Sequence, residues 1–219
     1  MIQHDPLNRR QRKHTSMKTL PSTEENIKKA ASLINDGRVI VYPTETVYGL
    51  GCLPSDPDAA KRICELKGRA DKPLPLICSS TEAARRIVDM TPAAEKLAST
   101  FWPGPLTIVL PAKVKYSTWV THGAKTLGVR VTSHHVASML AKLSGGVIVS
   151  TSANKSGEES CKTAEEVEKV FGSKVDLILD DGPSLGNQSS TVLEMSGEDP
   201  WILRSGPITG EQILKVLRS

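Results

Sequence analysis

Short β-rich runs alternate with capped helical stretches from residue 22 to residue 217, and that alternation restricts the chain to a layered α/β arrangement. Ser22-Thr23-Glu24-Glu25 has capping-box spacing, and Ile27, Ala30, Ala31 and Ile34 make one helical face that stops at Gly37. A strand over 38–42 follows. Asp56-Pro57 opens a second helix, with proline in its first turn and Gly68 past its end. Residues 74–78 read as a strand whose prolines suggest a sheet edge or an irregular entry. Helices over 81–88 and 91–100, strands over 106–110 and 127–132, and a helix over 134–143 come next. The apolar run at 147–150 reads as a central strand. Thr163 caps a further helix ending at Gly172, and strands at 176–179, 191–195 and 201–204 precede a last helix over 210–217. Consecutive strands near the end argue for a mixed sheet. The expected fold class is α/β, a single domain with one twisted, mostly mixed sheet flanked by helices.

A chain of 219 residues can bury a substantial core, and 38% hydrophobic with 24% charged residues is ordinary for a soluble protein. No apolar run approaches the roughly 20 residues that cross a bilayer, and the start lacks a signal-peptide core. The cytoplasm is the expected location, with no membrane partner. Residues 1–18 hold Arg9, Arg10, Arg12, Lys13 and Lys18 against Asp5 alone, so they account for the whole formal charge of +4. The neutral body exerts no general pull on polyanions. Residues 1–20 are expected to be a disordered basic tail, solvated or in weak contact with tRNA, and 21–219 the domain. The cysteines (Cys52, Cys64, Cys78, Cys161) form no C-x-x-C and imply reduced, mostly buried thiols; Cys161, in a polar loop, is the one reactive candidate. No spacing indicates a protein-held metal.

Three polar segments stand where hydrophobic runs end. Thr44-Glu45-Thr46-Val47-Tyr48-Gly49-Leu50-Gly51 follows the strand over 38–42 and offers hydroxyls beside glycines. It suits a small polar ligand, or a tight loop whose threonines satisfy their own backbone. Lys67-Gly68-Arg69 ends the second helix; a mobile ammonium and a planar fork suit a polyphosphate, but cations also suit a helix C-terminus. Ser150-Thr151-Ser152-Ala153-Asn154 leaves a buried strand at its carboxyl end, where α/β sheets gather ligands, and is alternatively a serine-rich turn. Arg130, inside an apolar strand, needs an anionic partner from protein or ligand, and Arg204 raises the same question. His134-His135 begins a helix, where capping or solvation is the expected role. P-loop and Rossmann signatures are absent.

Together with Phe101-Trp102-Pro103-Gly104-Pro105-Leu106-Thr107, Ser190-Thr191-Val192 and Ile202-Leu203-Arg204-Ser205-Gly206, these segments resemble the YrdC-like family of threonylcarbamoyl-AMP synthases, in order from about residue 26 to residue 207. The resemblance implies a YrdC/RibB-like sheet curved around a concave site. It implies condensation of L-threonine, bicarbonate and ATP to threonylcarbamoyl-AMP and pyrophosphate, for N6-threonylcarbamoyladenosine in tRNA. A threonylcarbamoyl-transferase complex would be the downstream partner. Carried over by position, Thr46, Arg130, Ser150 and Ser190 surround threonine. Lys67, Arg69, Lys72, Thr126, Ser152, Asn154, Ser160 and Arg204 hold ATP, with Lys67 and Arg69 as the catalytic pair whose loss leaves the fold intact. Mg²⁺ would be held mainly by ATP. Where some relatives place a threonine-contacting His, this chain has Ile77, and the further domain of longer synthases is not expected. The competing readings are a non-enzymatic double-stranded RNA or tRNA-binding module on the same fold, and carbamoyl transfer as in hydrogenase maturation.

Overall fold

A computed structural model describes residues 18–68, 72–197 and 199–219. In chain order the first elements are β1 (Lys18–Pro21), α1 (Glu24–Asn35), β2 (Ile40–Tyr42), β3 (Gly49–Gly51), α2 (Pro57–Lys67) and β4 (Leu76–Cys78). Next come α3 (Thr81–Ile87), α4 (Pro92–Phe101), β5 (Leu106–Pro111), α5 (Thr118–Thr121), β6 (Thr126–Val131), α6 (His135–Leu143) and β7 (Val147–Val149). The chain continues with β8 (Thr151–Ser152), α7 (Ala164–Phe171), β9 (Leu177–Asp180), β10 (Thr191–Glu194), β11 (Trp201–Arg204) and α8 (Gly210–Arg218). The strands form two mixed sheets where one was expected, ordered β1-β9-β2-β3-β8 and β11-β10-β5-β6-β4-β7. The chain passes from the end of one sheet to the end of the other between β7 and β8, with Ser150 as the sole residue between them.

Two apolar cores explain why the strands are apolar throughout. Along β2 the side chains alternate. Ile40 and Tyr42 join Ile27 and Ile34 of α1 and Val136 and Leu140 of α6 in one core. Val39 and Val41 face the larger core, with Leu50, Ile63, Leu76 and Leu106. Ile148 and Val149 of β7 divide in the same way. Burial on both faces was therefore legible, but position was not: β7 lies at the end of its sheet, whereas β4 lies between β6 and β7. Pro73 and Pro75 precede β4 and remove no hydrogen bond from its ladder.

Three further expectations are corrected. Strand β1 pairs in parallel with β9 from Lys18 onward, so residues 18–20 belong to the sheet rather than to a tail; residues 1–17 lie outside the described residues. The cap of α1 is Thr23, whose hydroxyl accepts the Asn26 N–H at 3.3 Å, and not Ser22. All four cysteines are buried, and none of them forms a disulfide. Burial pushes the Cys161 thiol up to about 11, so it stays protonated at neutral pH and is not the reactive group expected. No helix among the described residues is long and apolar enough to cross a membrane.

Candidate active site

The seam where Ser150 joins the two sheets opens into a cavity of about 90 Å³. Thr46 comes from the loop between β2 and β3, Gly49 from the start of β3, Ile77 from β4, Arg130 from β6, and Ser190 from the residue before β10. Close backbone approach makes this possible. A Cβ on Gly51 would stand 2.5 Å from the Tyr42 ring and 2.9 Å from the Val149 carbonyl, so only glycine lets β3 lie across that ring. Tyr42 donates its hydroxyl to Val149 O at 3.2 Å, fixing β2 to the seam.

The polar groups of this cavity are buried yet ordered. Thr44 serves its own loop: its hydroxyl donates to Val47 O at 2.6 Å and accepts the Thr46 and Val47 N–H groups, each at 3.2 Å. Thr46 instead faces Arg130, whose Nη1 lies 3.4 Å from its Oγ1. The same nitrogen is 3.3 Å from Glu45 Oε1, and Glu45 Oε2 accepts the Thr132 hydroxyl. Arg130 thus has a protein carboxylate as partner, held on the β2–β3 loop. Across the cavity Ser190 Oγ and Thr107 Oγ1 are 2.9 Å apart. Arg204 donates to Ser190 O through Nε at 3.0 Å and Nη2 at 2.8 Å, clamping the chain just before β10.

Ser152, Ser189 and Arg204 also line a second, polar cavity of about 270 Å³ with Lys67, Lys72, Asn154 and Ser160. Lys67 is not the mobile cation expected. Only 2% of it is exposed, and Nζ donates to Ser152 O at 2.6 Å, Asn154 O at 2.9 Å and Asn154 Oδ1 at 3.0 Å. The ammonium therefore folds the segment after β8 onto the end of α2, where Gly68 turns the chain at φ 62°. Lys72 and Arg204 continue into a third cavity of about 520 Å³, floored by Val109, Gly128 and Val192 and reached by Thr126. Alternate residues of β5, β6 and β10 point to this one face.

Of the residues expected for threonine, all four line the first cavity. Of those expected for ATP, Lys67, Lys72, Ser152, Asn154, Ser160 and Arg204 line the second and Thr126 the third. Arg69 lies outside the described residues. Of the pair at the start of α6, His135 is exposed as expected, whereas His134, at the N-cap position, is 20% exposed and does not cap. Its side chain makes no cap bond, its Nδ1 is buried without a partner, and its Nε2 lies 3.6 Å from Asp181 Oδ2. Burial, acting against the nearby Asp181 and Glu45 charges, depresses its basicity.

Known proteins resemble this chain in sequence and in fold. Residues 32–206 match the family profile Sua5_yciO_yrdC, described as telomere recombination. The chain belongs to the Sua5/YciO/YrdC family. A Pyrococcus abyssi relative named threonylcarbamoyl-AMP synthase is 41% identical over 89% of this chain and 58% of its own length. One of the same name from Halorhodospira halophila is 42% identical over 70% of this chain and 81% of its own. The crystal structure of P. abyssi Sua5 complexed with L-threonine superposes with a TM-score of 0.86 at 40% identity, covering 92% of this chain and 61% of that one. The chain thus spans somewhat over half the length of the Pyrococcus protein.

Within this Sua5/YciO/YrdC domain, sequence reasoning passed over Glu45, Thr132 and Thr107. Thr107 carried a signal, a lone hydroxyl in an apolar strand after Pro-Gly-Pro. Gly186 was also missed. A Cβ there would stand 2.5 Å from Thr46 O and 2.6 Å from Glu45 O, so the loop before Ser190 rests directly on the site backbone. Gly186→Ala is expected to lose about 1–3 kcal/mol of stability and to shift Thr46, an overpacking effect on contacts that are all backbone. Thermal unfolding of the variant, with threonine affinity alongside, checks it.

Proposed function

We propose that this domain is an L-threonylcarbamoyladenylate synthase, a nucleotidyltransferase of the cytoplasm. The observation that carries the reading is the contact between a small polar cavity holding Arg130 and a polar trough holding Lys67, Lys72 and Arg204, the two sharing Ser152. Threonine, with eight non-hydrogen atoms (a count from its formula), suits the first. Its carboxylate takes the fork of Arg130, whose two bonds to the described protein leave from Nη1. Ile77 supplies an apolar wall for the methyl group, and Thr46, Ser150 and Ser190 supply hydrogen bonds. The triphosphate lies in the second cavity and the nucleoside in the third.

The threonine nitrogen attacks bicarbonate carbon; water leaves and a proton passes to solvent, giving the carbamate. A carbamate oxygen then attacks the α-phosphorus, and the bond to the β-phosphate oxygen breaks to release pyrophosphate. Such a displacement needs alignment and charge neutralisation rather than a protein nucleophile. Among the described residues the second cavity offers ammonium, guanidinium, hydroxyl and amide groups and no carboxylate, a donor set that suits phosphate and not a metal ion. Mg²⁺ accordingly enters with ATP as part of the substrate. The product goes to a threonylcarbamoyl-transferase complex acting on tRNA.

Incubation with ATP, threonine and labelled bicarbonate tests this. Labelled adenylate and an equal amount of pyrophosphate are expected only when all three substrates are present. Pyrophosphate without threonine, or salt-sensitive tRNA binding with no adenylate, would refute it and favour the RNA-binding module.

A further inference from the structure

A separate cavity of about 580 Å³ lies beside the turn after α2, bounded by Gly68 and Lys155. It shares a wall with the polyphosphate trough: Lys67 and Ser156 line that trough, and the Ser156 N–H donates to Lys67 O at 2.9 Å. Four cations, Arg38, Arg62, Lys155 and Lys174, surround it. Its two carboxylates are already engaged. Asp176 pairs with Arg62, lies 3.7 Å from Arg38 Nη1, and accepts the Val39 N–H at 2.9 Å. Glu65 lies 3.7 Å from Lys61, which is not in the lining. Lys155 and Lys174 are exposed and have no carboxylate within ion-pairing distance among the described residues.

We propose that this cavity is a second anion site, which takes a phosphate-bearing ligand and lies outside the reaction just described. Asp176 holds two guanidinium groups at its edge, and the ammonium groups of Lys155 and Lys174, with no ion-pair partner among the described residues, leave the lining with a net positive charge. Val170 and Phe171 give it an apolar wall, so its shape and size suit a mononucleotide as well as an inorganic phosphate. The carbonyl of Lys174 accepts a bond from Arg62, but its ammonium takes no part in the fold, which makes it the side chain to change.

Calorimetric titration of the full chain with pyrophosphate and, separately, with AMP tests the assignment. At least one probe is expected to bind at a site that Lys174→Glu weakens tenfold or more, while adenylate formation stays at the wild-type rate. Lys142→Glu, an equal charge change on α6 outside the lining, serves as the control and is expected to change binding less than twofold, since a side chain that does not touch the ligand acts only through screened charge at physiological salt. Sensitivity to pyrophosphate alone identifies an inorganic anion, and sensitivity to AMP a nucleotide. Binding of both probes that Lys174→Glu leaves unchanged, or that both substitutions weaken equally, would overturn the proposal. A class of binding lost instead in Arg204→Ala reports the polyphosphate trough, so the two readings fail separately.

Discussion

Arg130→Ala is expected to lower kcat/KM for threonine by roughly two to three orders of magnitude while changing the KM for ATP far less. The guanidinium is buried and paired, and truncating one member of such a pair loses about 2–5 kcal/mol, with each 1.4 kcal/mol a factor of ten. Part of that loss falls on stability. With Arg130 gone, Glu45 keeps its carboxylate, 17% exposed, against the Thr132 hydroxyl without a cation. A second variant separates the effects. Glu45→Gln in the Arg130→Ala background removes the stranded charge and is expected to regain stability without regaining threonine affinity. Arg130→Lys keeps the charge but not the two-pronged geometry, and is expected to fall between. Equal losses for threonine and ATP, or full rescue by Glu45→Gln, would show that Arg130 braces the β2–β3 loop instead of binding substrate.

The contrast between Arg130 and Glu45 shows what a sequence discloses of such a site. Arg130 stands out because a cation within an apolar strand must have a partner, and that requirement is visible locally. Its partner is 85 positions away in a loop where any of several polar residues was eligible. The same holds for Thr107 and Ser190, which meet 83 positions apart. Ends of hydrophobic runs were legible because periodicity reports where the chain leaves a core. Strand order was not: β4 and β7 have similar apolar letters, and their exchange of central and edge places follows from which neighbours pair, a long-range matter. The division into two sheets turns on the lone residue Ser150, and no propensity marks it. Burial was the other hidden quantity. Lys67 and Lys72 are the same letter at nearly the same place, yet one is 2% exposed beneath three acceptors and the other is exposed at the rim of two cavities.

That difference changes what removing Lys67 does. From sequence, its loss was expected to spare the fold; from its contacts, Lys67→Ala is expected to impair both fold and activity. Three acceptors, Ser152 O, Asn154 O and Asn154 Oδ1, lose a charged donor together. Hydrogen bonds to charged groups are worth about 1.5–3 kcal/mol each, offset here by relief of the ammonium's desolvation. A net loss of about 3 kcal/mol corresponds to a fall in Tm of roughly 6–12 °C for a chain of this size. Asn154 would then keep its bonds to the Ser152 hydroxyl and to Glu158 O, at 2.6 and 2.7 Å, but the segment would be tied to α2 only through the backbone bond from the Ser156 N–H to the carbonyl of residue 67. Ser152 and Asn154 would leave their places in the trough, and adenylate formation is expected to fall by about three orders of magnitude, the scale on which misplaced phosphate-binding groups act. Lys72→Ala serves as the comparison, because it removes an exposed charge from the same trough. It is expected to raise the KM for ATP about tenfold with Tm unchanged, as suits a side chain that positions nothing else. Thermal melts with ATP and threonine kinetics on both variants decide the matter. A Lys67→Ala protein that melts like wild type and makes adenylate normally would mean that the ammonium is a bystander to the segment it touches.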